Sequence, residues 1–161
     1  MSEVSREMLD DAAKLWLAHD GLWFQEIERE FGIEKAIELD KRAWAKFTVI
    51  EAKRIMARHK LPQNGGLAAL KTALGFRLYA YVNEQEIANE TANSFEFRMK
   101  ECRVQSARQR QGLAPFPCKE VGIVEYSLFA QTIDPAIKTE CVGCPPDAKH
   151  TNYWCAWRFS V

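Results

Sequence analysis

Five cysteines, Cys102, Cys118, Cys141, Cys144 and Cys155, crowd into the C-terminal part of a 161-residue chain. Cys141-Val142-Gly143-Cys144 is a CxxC, and Cys155 follows on what reads as the return strand of a hairpin. Cys141 and Cys155 are equidistant from Ala148, the expected turn, so a hairpin would make them cross-strand neighbours on one face. Two close thiols with Cys144 at the rim would offer three ligands to a tetrahedral ion such as zinc or iron. Cys118, Cys102 or His150 could supply the fourth. The same cysteines also read as small apolar groups buried in a core. Cys102 has a further reading as a nucleophile. In a regular strand it shares a face with Arg98 and Lys100, and nearby cations lower a thiol's pKa and expose the thiolate. A one-residue bulge would turn it into the core instead.

The remaining candidates lie in the N-terminal half. His19 stands beside Asp20, a pairing that orients an imidazole as a base, or else a helix end with Asp20 as the cap of the next helix. His59 falls in the last turn of a helix, where a cation suits the dipole. Asp40 and Glu51 interrupt the apolar stripe that holds Trp44 and Phe47. Burial of a carboxylate is unfavourable unless it is paired. The two are about 16 Å apart along a helix, too far to act as one catalytic pair. Trp16, Trp23, Phe24 and Trp44 would converge where the first helices meet, as plain core or as an apolar pocket with His19 and Asp20 at its mouth. The chain contains no GxGxxG, GxxxxGK[ST], GxSxG or HExxH, so dinucleotide, P-loop, α/β-hydrolase and zincin chemistry have no support.

The elements that would position these residues divide the chain in two. Met8, Ala12, Leu15 and Trp16 recur at helical spacing, and Asp20-Gly21 marks a break. Phe24, Ile27 and Phe31 form a second stripe that Gly32 stops. A long helix is expected from about Ile33 to His59, then a loop over Leu61–Gly66, then a helix from Leu67 to Tyr81. Beyond Asn83 the period changes. Ile87–Thr91 reads as a short strand, and Phe95, Phe97 and Met99 alternate with Glu96, Arg98 and Lys100. A helix over Cys118–Gln131 would turn Val121, Val124, Leu128 and Ile123 inward. Ile137, Thr139 and Cys141 alternate, as do Tyr153, Cys155, Trp157, Phe159 and Val161, giving a terminal antiparallel hairpin. The expected class is α+β, one domain over 1–161, with a helical half to about residue 82 and a cysteine-bearing antiparallel sheet half after it.

Composition narrows the partners. Lys plus Arg and Asp plus Glu number 22 each, so the formal charge is zero. That argues against nucleic acid or an anionic membrane held by bulk charge. The strip of Arg103, Arg108, Arg110 and Lys119 reads as a solvated loop or short helix. No apolar run approaches the ~20 residues of a membrane span, and the N-terminus lacks a signal-peptide core. A cytoplasmic protein is expected, with thiols kept reduced. Its expected partner is a small molecule, and exposed aromatics on the helical half suit a homodimer.

The run Asp20-Gly21-Leu22-Trp23-Phe24, then Glu30-Phe31-Gly32, then Ala36 to Trp44, resembles the N-terminal part of a group of bacterial cytosolic proteins. The second half resembles the L-2-amino-thiazoline-4-carboxylic acid hydrolase-like family. The shared features are a strand ending at Cys102, a helix opening at Cys118, Asp134-Pro135-Ala136-Ile137 before a strand, and the terminal Cys155-Ala156-Trp157-Arg158-Phe159. More distantly the layout is similar to vinyl-reductase-type small-molecule-binding domains. The resemblance implies ring-opening hydrolysis of a C–N bond in a cyclic amidine. Cys102 or Cys118 would then be nucleophile or metal ligand, with His19 or Asp20 as base. The alternative is a non-catalytic sensor holding a small molecule or metal at the cysteine hairpin, with Trp16, Trp23, Trp44 and Asp40 around a pocket.

Overall fold

The computed structural model describes residues 5–147 and 152–161. Helix α1 spans Arg6–Phe31, opened by Ser5, whose hydroxyl accepts the Met8 N–H at 3.2 Å. The helix continues through Asp20-Gly21, where two helices were expected. A glycine inside a helix costs only about 1 kcal/mol, and packing of α1 along the next helix outweighs it. Asp20 is therefore a mid-helix side chain and caps nothing. Gly32, at φ +84°, turns the chain directly into α2, Ile33–His59, which has the expected bounds.

α3 spans Gly66–Leu74 and is shorter than its periodicity suggests. Gly75 ends it, and Arg77 takes an extended conformation (ψ 149°) before a 3₁₀ turn at Leu78–Tyr81. The sheet follows as β1, Glu84–Ala88, and β2, Ser94–Glu101. Then come α4, Arg103–Arg110, and α5, Lys119–Ile133. β3, Lys138–Gly143, and β4, Cys155–Ser160, complete the order. The strands run β1-β2-β4-β3, all antiparallel, so the last strand in the chain is central. The α+β class and the antiparallel C-terminal sheet are as the sequence implies.

α5 is the element between the two halves. It packs on α2 on one side and toward the sheet on the other. Its buried residues are Val121, Gly122, Glu125, Tyr126, Phe129, Ala130 and Ile133. Ile123, expected inward, is exposed, and Val124 and Leu128 are only half-buried. The apolar stripe is rotated by about one residue because Gly122 must face Trp157. A Cβ there would come within 2.5 Å of the indole. Phe95, Phe97, Met99, Trp157 and Phe159 meet Tyr126 and Phe129 in one core that extends to Ala52, Ile55 and Leu70. On the other sheet face Glu96 accepts from Arg98, Arg158 and Asn89, a ladder that keeps a buried carboxylate paired.

Two register features bear on the site. The β1–β2 pairing shifts between Glu84 and Gln85, which face Glu101 and Met99, so the end of β2 is bulged. In the hairpin Cys141 faces Trp157, and a second shift follows before Gly143. Cys155 is opposite Met99 of β2 instead. Cys141 and Cys155 are thus not cross-strand partners. Ala148 and His150, the expected turn and a candidate ligand, lie outside the described residues.

Candidate functional site

A cavity of about 380 Å³ opens between α1, α2, α4, α5 and the sheet. Its apolar lining includes Leu17, Phe24, Trp44, Met99, Phe116, Val121, Tyr126 and Trp157. Four of the five cysteines reach it: Cys102, Cys118, Cys144 and Cys155. On the helical side stand Asp20, Asp40, Tyr79 and Glu125. One wall therefore carries thiols and the other carboxylates. Lys14, Arg103 and Arg110 also border the cavity and are themselves exposed.

The thiol wall is built by three short segments. Cys118 is the residue from which α5 starts, and Cys144 follows β3. Their sulfurs lie 3.2 Å apart. Gln105 of α4, 2% exposed, holds the loop before α5. It accepts the Phe116 N–H at 2.9 Å and donates to the Phe116 carbonyl at 2.8 Å and to Cys118 Sγ at 3.6 Å. The Cys144 S–H, followed by Gln105, holds the Cys118 thiol below its ordinary value despite burial. The N-terminal end of α5 favours negative charge at the same place. The Cys144 thiol moves the opposite way, because it is hydrogen-bonded to both Cys118 and Cys155. The two thiols titrate as a coupled pair, with Cys118 the lowered and Cys144 the raised member.

Cys102 does the reverse of what its neighbours in sequence suggest. The β2 bulge carries it to the start of α4, packed against the core, and burial pushes its thiol up to about 12. The reading as an Arg98- and Lys100-activated nucleophile is corrected. The cations lie on the far side of the sheet, where Arg98 binds Glu96. Cys141 does not line the cavity; burial raises its thiol in spite of nearby Lys119. The expected Cys141, Cys144 and Cys155 metal site does not assemble. Among the described residues no group of three or more His, Cys, Asp or Glu side chains is arranged to hold a metal ion.

The carboxylate wall is unusual electrostatically. Burial, then the charges of Asp20 and Glu125, raise Asp40 from its ordinary 3.8 to about 7. Asp20 is also raised by burial, with only His19 opposing. Among the described residues neither forms a salt bridge to Lys or Arg, and burial is the largest influence on both. Glu125, fully buried, is raised by desolvation even though Arg77 lies 2.6 Å away. Arg77 is 1% exposed. It also donates from Nε to Glu51 at 2.9 Å, and packs among the Trp44, Tyr79, Tyr126 and Phe129 rings. Glu51 is thereby explained as the partner of a buried cation.

His19 is exposed on α1 and does not line the cavity, so it serves as no base there. Trp16 packs against Trp44, Phe47 and Tyr79, behind the cavity wall. Trp23 is 62% exposed and does not line this cavity. Phe24 meets Phe116 edge-on at 4.9 Å. His59, in the last turn of α2, stacks on Phe76. Arg108, expected in solvent, is buried and clamps Glu28 through two bonds of 2.6 and 2.9 Å.

A profile of a family of unknown function, DUF6125, matches residues 2–161. The chain belongs to that family. No curated protein matches its sequence. Among solved structures, it is similar to trafficking protein particle complex subunit 3 from Naegleria fowleri, a crystal structure of that protein covalently bound to palmitic acid. The TM-score is 0.56 at 8% identity, over 93% of this chain and 94% of that one. The likeness is one of fold. Among the described residues no helix of this DUF6125 protein is long and apolar enough to cross a membrane.

Glu125, Tyr79 and Tyr126 line the cavity and Arg77 packs against them, and the pattern reading passed over all four. Glu125 interrupts the stripe of α5 as Asp40 interrupts that of α2, and the same test would have found it. Arg77 stands alone between Leu74, Phe76, Leu78 and Tyr79, a cation in an apolar run.

Proposed function

We propose that this protein is a small-molecule-binding domain whose cavity takes an apolar molecule carrying a protonated nitrogen. The observation behind this is the union of an aromatic and aliphatic lining with Asp20 and Asp40, two carboxyls raised by burial and, among the described residues, in no salt bridge to Lys or Arg. A cationic head would supply the charge that the protein does not, and aromatic faces beside it would add to the attraction. That the similar trafficking subunit is bound to palmitic acid supports an apolar occupant of this fold. A free fatty acid fits less well, because its carboxylate would meet two others. Five free cysteines suit a reducing cytoplasm, where we place the protein.

A second reading, hydrolysis of a C–N bond in a cyclic amidine, has one observation in its favour. A lowered thiol, Cys118, and a carboxyl near 7, Asp40, line the same cavity. The thiolate would add to the amidinium carbon, and protonated Asp40 would give its proton to the departing ring nitrogen. Water would then release the enzyme.

The test is thermal shift and native mass spectrometry with 2-aminothiazoline, a neutral thiazole and palmitate. Stabilisation by the cyclic amidine alone, lost in Asp40→Asn, is expected. Stabilisation by palmitate, unchanged in Asp40→Asn, would overturn the cation reading. Appearance of ring-opened product that needs Cys118 would move the protein to the hydrolytic reading.

A further inference from the structure

The thiol wall carries chemistry that no resident ligand is needed to explain. Cys118 and Cys144 are separated by 26 positions in sequence, yet their sulfurs are 3.2 Å apart, within about 1.2 Å of a disulfide's length. Bonds that do not involve the thiols hold the two segments together. The Lys119 N–H donates to the Pro145 carbonyl at 3.0 Å. The Lys119 ammonium reaches both Asp147 oxygens, at 2.9 and 2.8 Å. The Asp147 carboxylate in turn accepts the Cys144 N–H at 3.4 Å. The sulfurs are thus brought together by their framework and need little motion to bond.

The two are not equivalent. Cys118 is half-buried and faces the cavity, at the N-terminal end of a 15-residue helix, with the Gln105 amide aimed at its sulfur. Cys144 also borders the cavity but is only 2% exposed. Cys118 is the more accessible of the two to what enters the cavity, and Cys144 the more enclosed. This is the division of labour between an attacking and a resolving thiol.

We propose that Cys118 and Cys144 form a dithiol couple that reduces hydroperoxides, organic ones with an apolar body being favoured by the lining. The Cys118 thiolate attacks the distal peroxide oxygen. The O–O bond breaks, and the alkoxide leaves and takes a proton as the alcohol. Cys118 becomes a sulfenic acid. The Cys144 sulfur then attacks the Cys118 sulfur, the S–O bond breaks, and water leaves with the thiol proton. Two thiols and one hydroperoxide give one disulfide, one alcohol and one water. A low-molecular-weight dithiol would return the couple to its reduced form.

The experiment uses the reduced full chain with hydrogen peroxide and cumene hydroperoxide at pH 7, and neither probe depends on the amine-binding reading. Free thiols should fall by two, and digestion should yield a Cys118–Cys144 cross-linked peptide. Peroxide consumption should exceed that of N-acetylcysteine by about tenfold or more. Cys144→Ser should stop at a Cys118 sulfenic acid that dimedone traps, and Cys118→Ser should consume peroxide no faster than the free thiol. Wild-type consumption no faster than N-acetylcysteine would overturn the proposal. So would a cross-link chiefly between another pair, such as Cys144 and Cys155. Both outcomes are read on the wild-type chain, so a poorly folding variant does not shield the idea.

Discussion

Replacing Asp40 by Asn should make the protein more stable and less able to bind, and pH separates the two effects. The folded carboxyl titrates near 7, against an ordinary 3.8. Below about pH 4 the group is protonated whether folded or unfolded, and it contributes no pH-dependent term. Between 4 and 7 the folded state holds the proton that the unfolded state has released, so stability falls as pH rises. Above 7 both states are ionised and the full penalty is present. Roughly three units correspond to about 4 kcal/mol. Water reaching a half-buried carboxyl reduces this, and about 2 kcal/mol is the working expectation. For a chain of 161 residues that is a gain of about 6 °C in Tm at pH 8 and almost none at pH 4. Asp20 and Glu125 face Asp40 and should each be easier to ionise in the variant, since its charge opposes theirs. A cationic ligand needs the ionised form, so its affinity for the wild type should fall about tenfold per pH unit below 7. The assays are melting curves and binding titrations from pH 4 to 8. Equal stabilisation at both ends of that range, or a loss at pH 8, would refute the argument that burial and like charges set this group.

Two other substitutions probe the packing around the cavity. Arg77→Met should destabilise the fold by about 3–5 kcal/mol in urea titrations at pH 8, because Glu51 and Glu125 lose their buried counter-ion. The combination with Glu51→Gln and Glu125→Gln should recover most of that loss, and failure to do so would show that the arginine matters chiefly as packing. Gly122→Ala and Gly21→Ala make a matched pair inside helices. At Gly122 the new methyl meets the Trp157 ring at 2.5 Å, so overpacking of about 1–3 kcal/mol should exceed the helix-propensity gain and shift the Trp157 fluorescence. At Gly21 nothing lies within 4 Å, and the same change should stabilise α1 by up to about 1 kcal/mol. A stabilised Gly122→Ala would mean that the α5–sheet contact is looser than its geometry implies.

What could be read from the sequence were features with a period. The strand of Phe95, Phe97 and Met99 and the long helix at Ile33–His59 repeat the same choice many times, and the fold respects them. Single-residue punctuation was less reliable. Asp20-Gly21 has the chemistry of a helix boundary, yet tertiary packing carries α1 through it. Four of the cysteines border the cavity, and how they group depends on strand register. The bulge at the end of β2 removes Cys102 from its cations, and the hairpin register places Cys141 opposite Trp157, ahead of the second shift. No spacing rule anticipates a bulge in a strand. Cys118 and Cys144 meet through the loop–helix contact at Lys119 and Asp147, a long-range pairing that local pattern does not encode. Asp40 was legible because a carboxylate in an apolar stripe is a contradiction at the level of sequence.

The position of β4 has a consequence for how the site comes into being. This strand is the centre of the sheet, but it is made after both of its neighbours. Glu96 must wait for Arg158, 62 positions later, before that cross-strand contact can close. The β1–β2 hairpin can form locally, whereas the central pairings must close long loops, which slows folding. Cys155 and Trp157 reach the cavity only on β4. A growing chain therefore displays its helices and first hairpin without owning a binding site, and the cavity appears in the final step of sheet assembly. Any molecule that needs the whole cavity lining therefore binds only a chain in which β4 has joined the sheet.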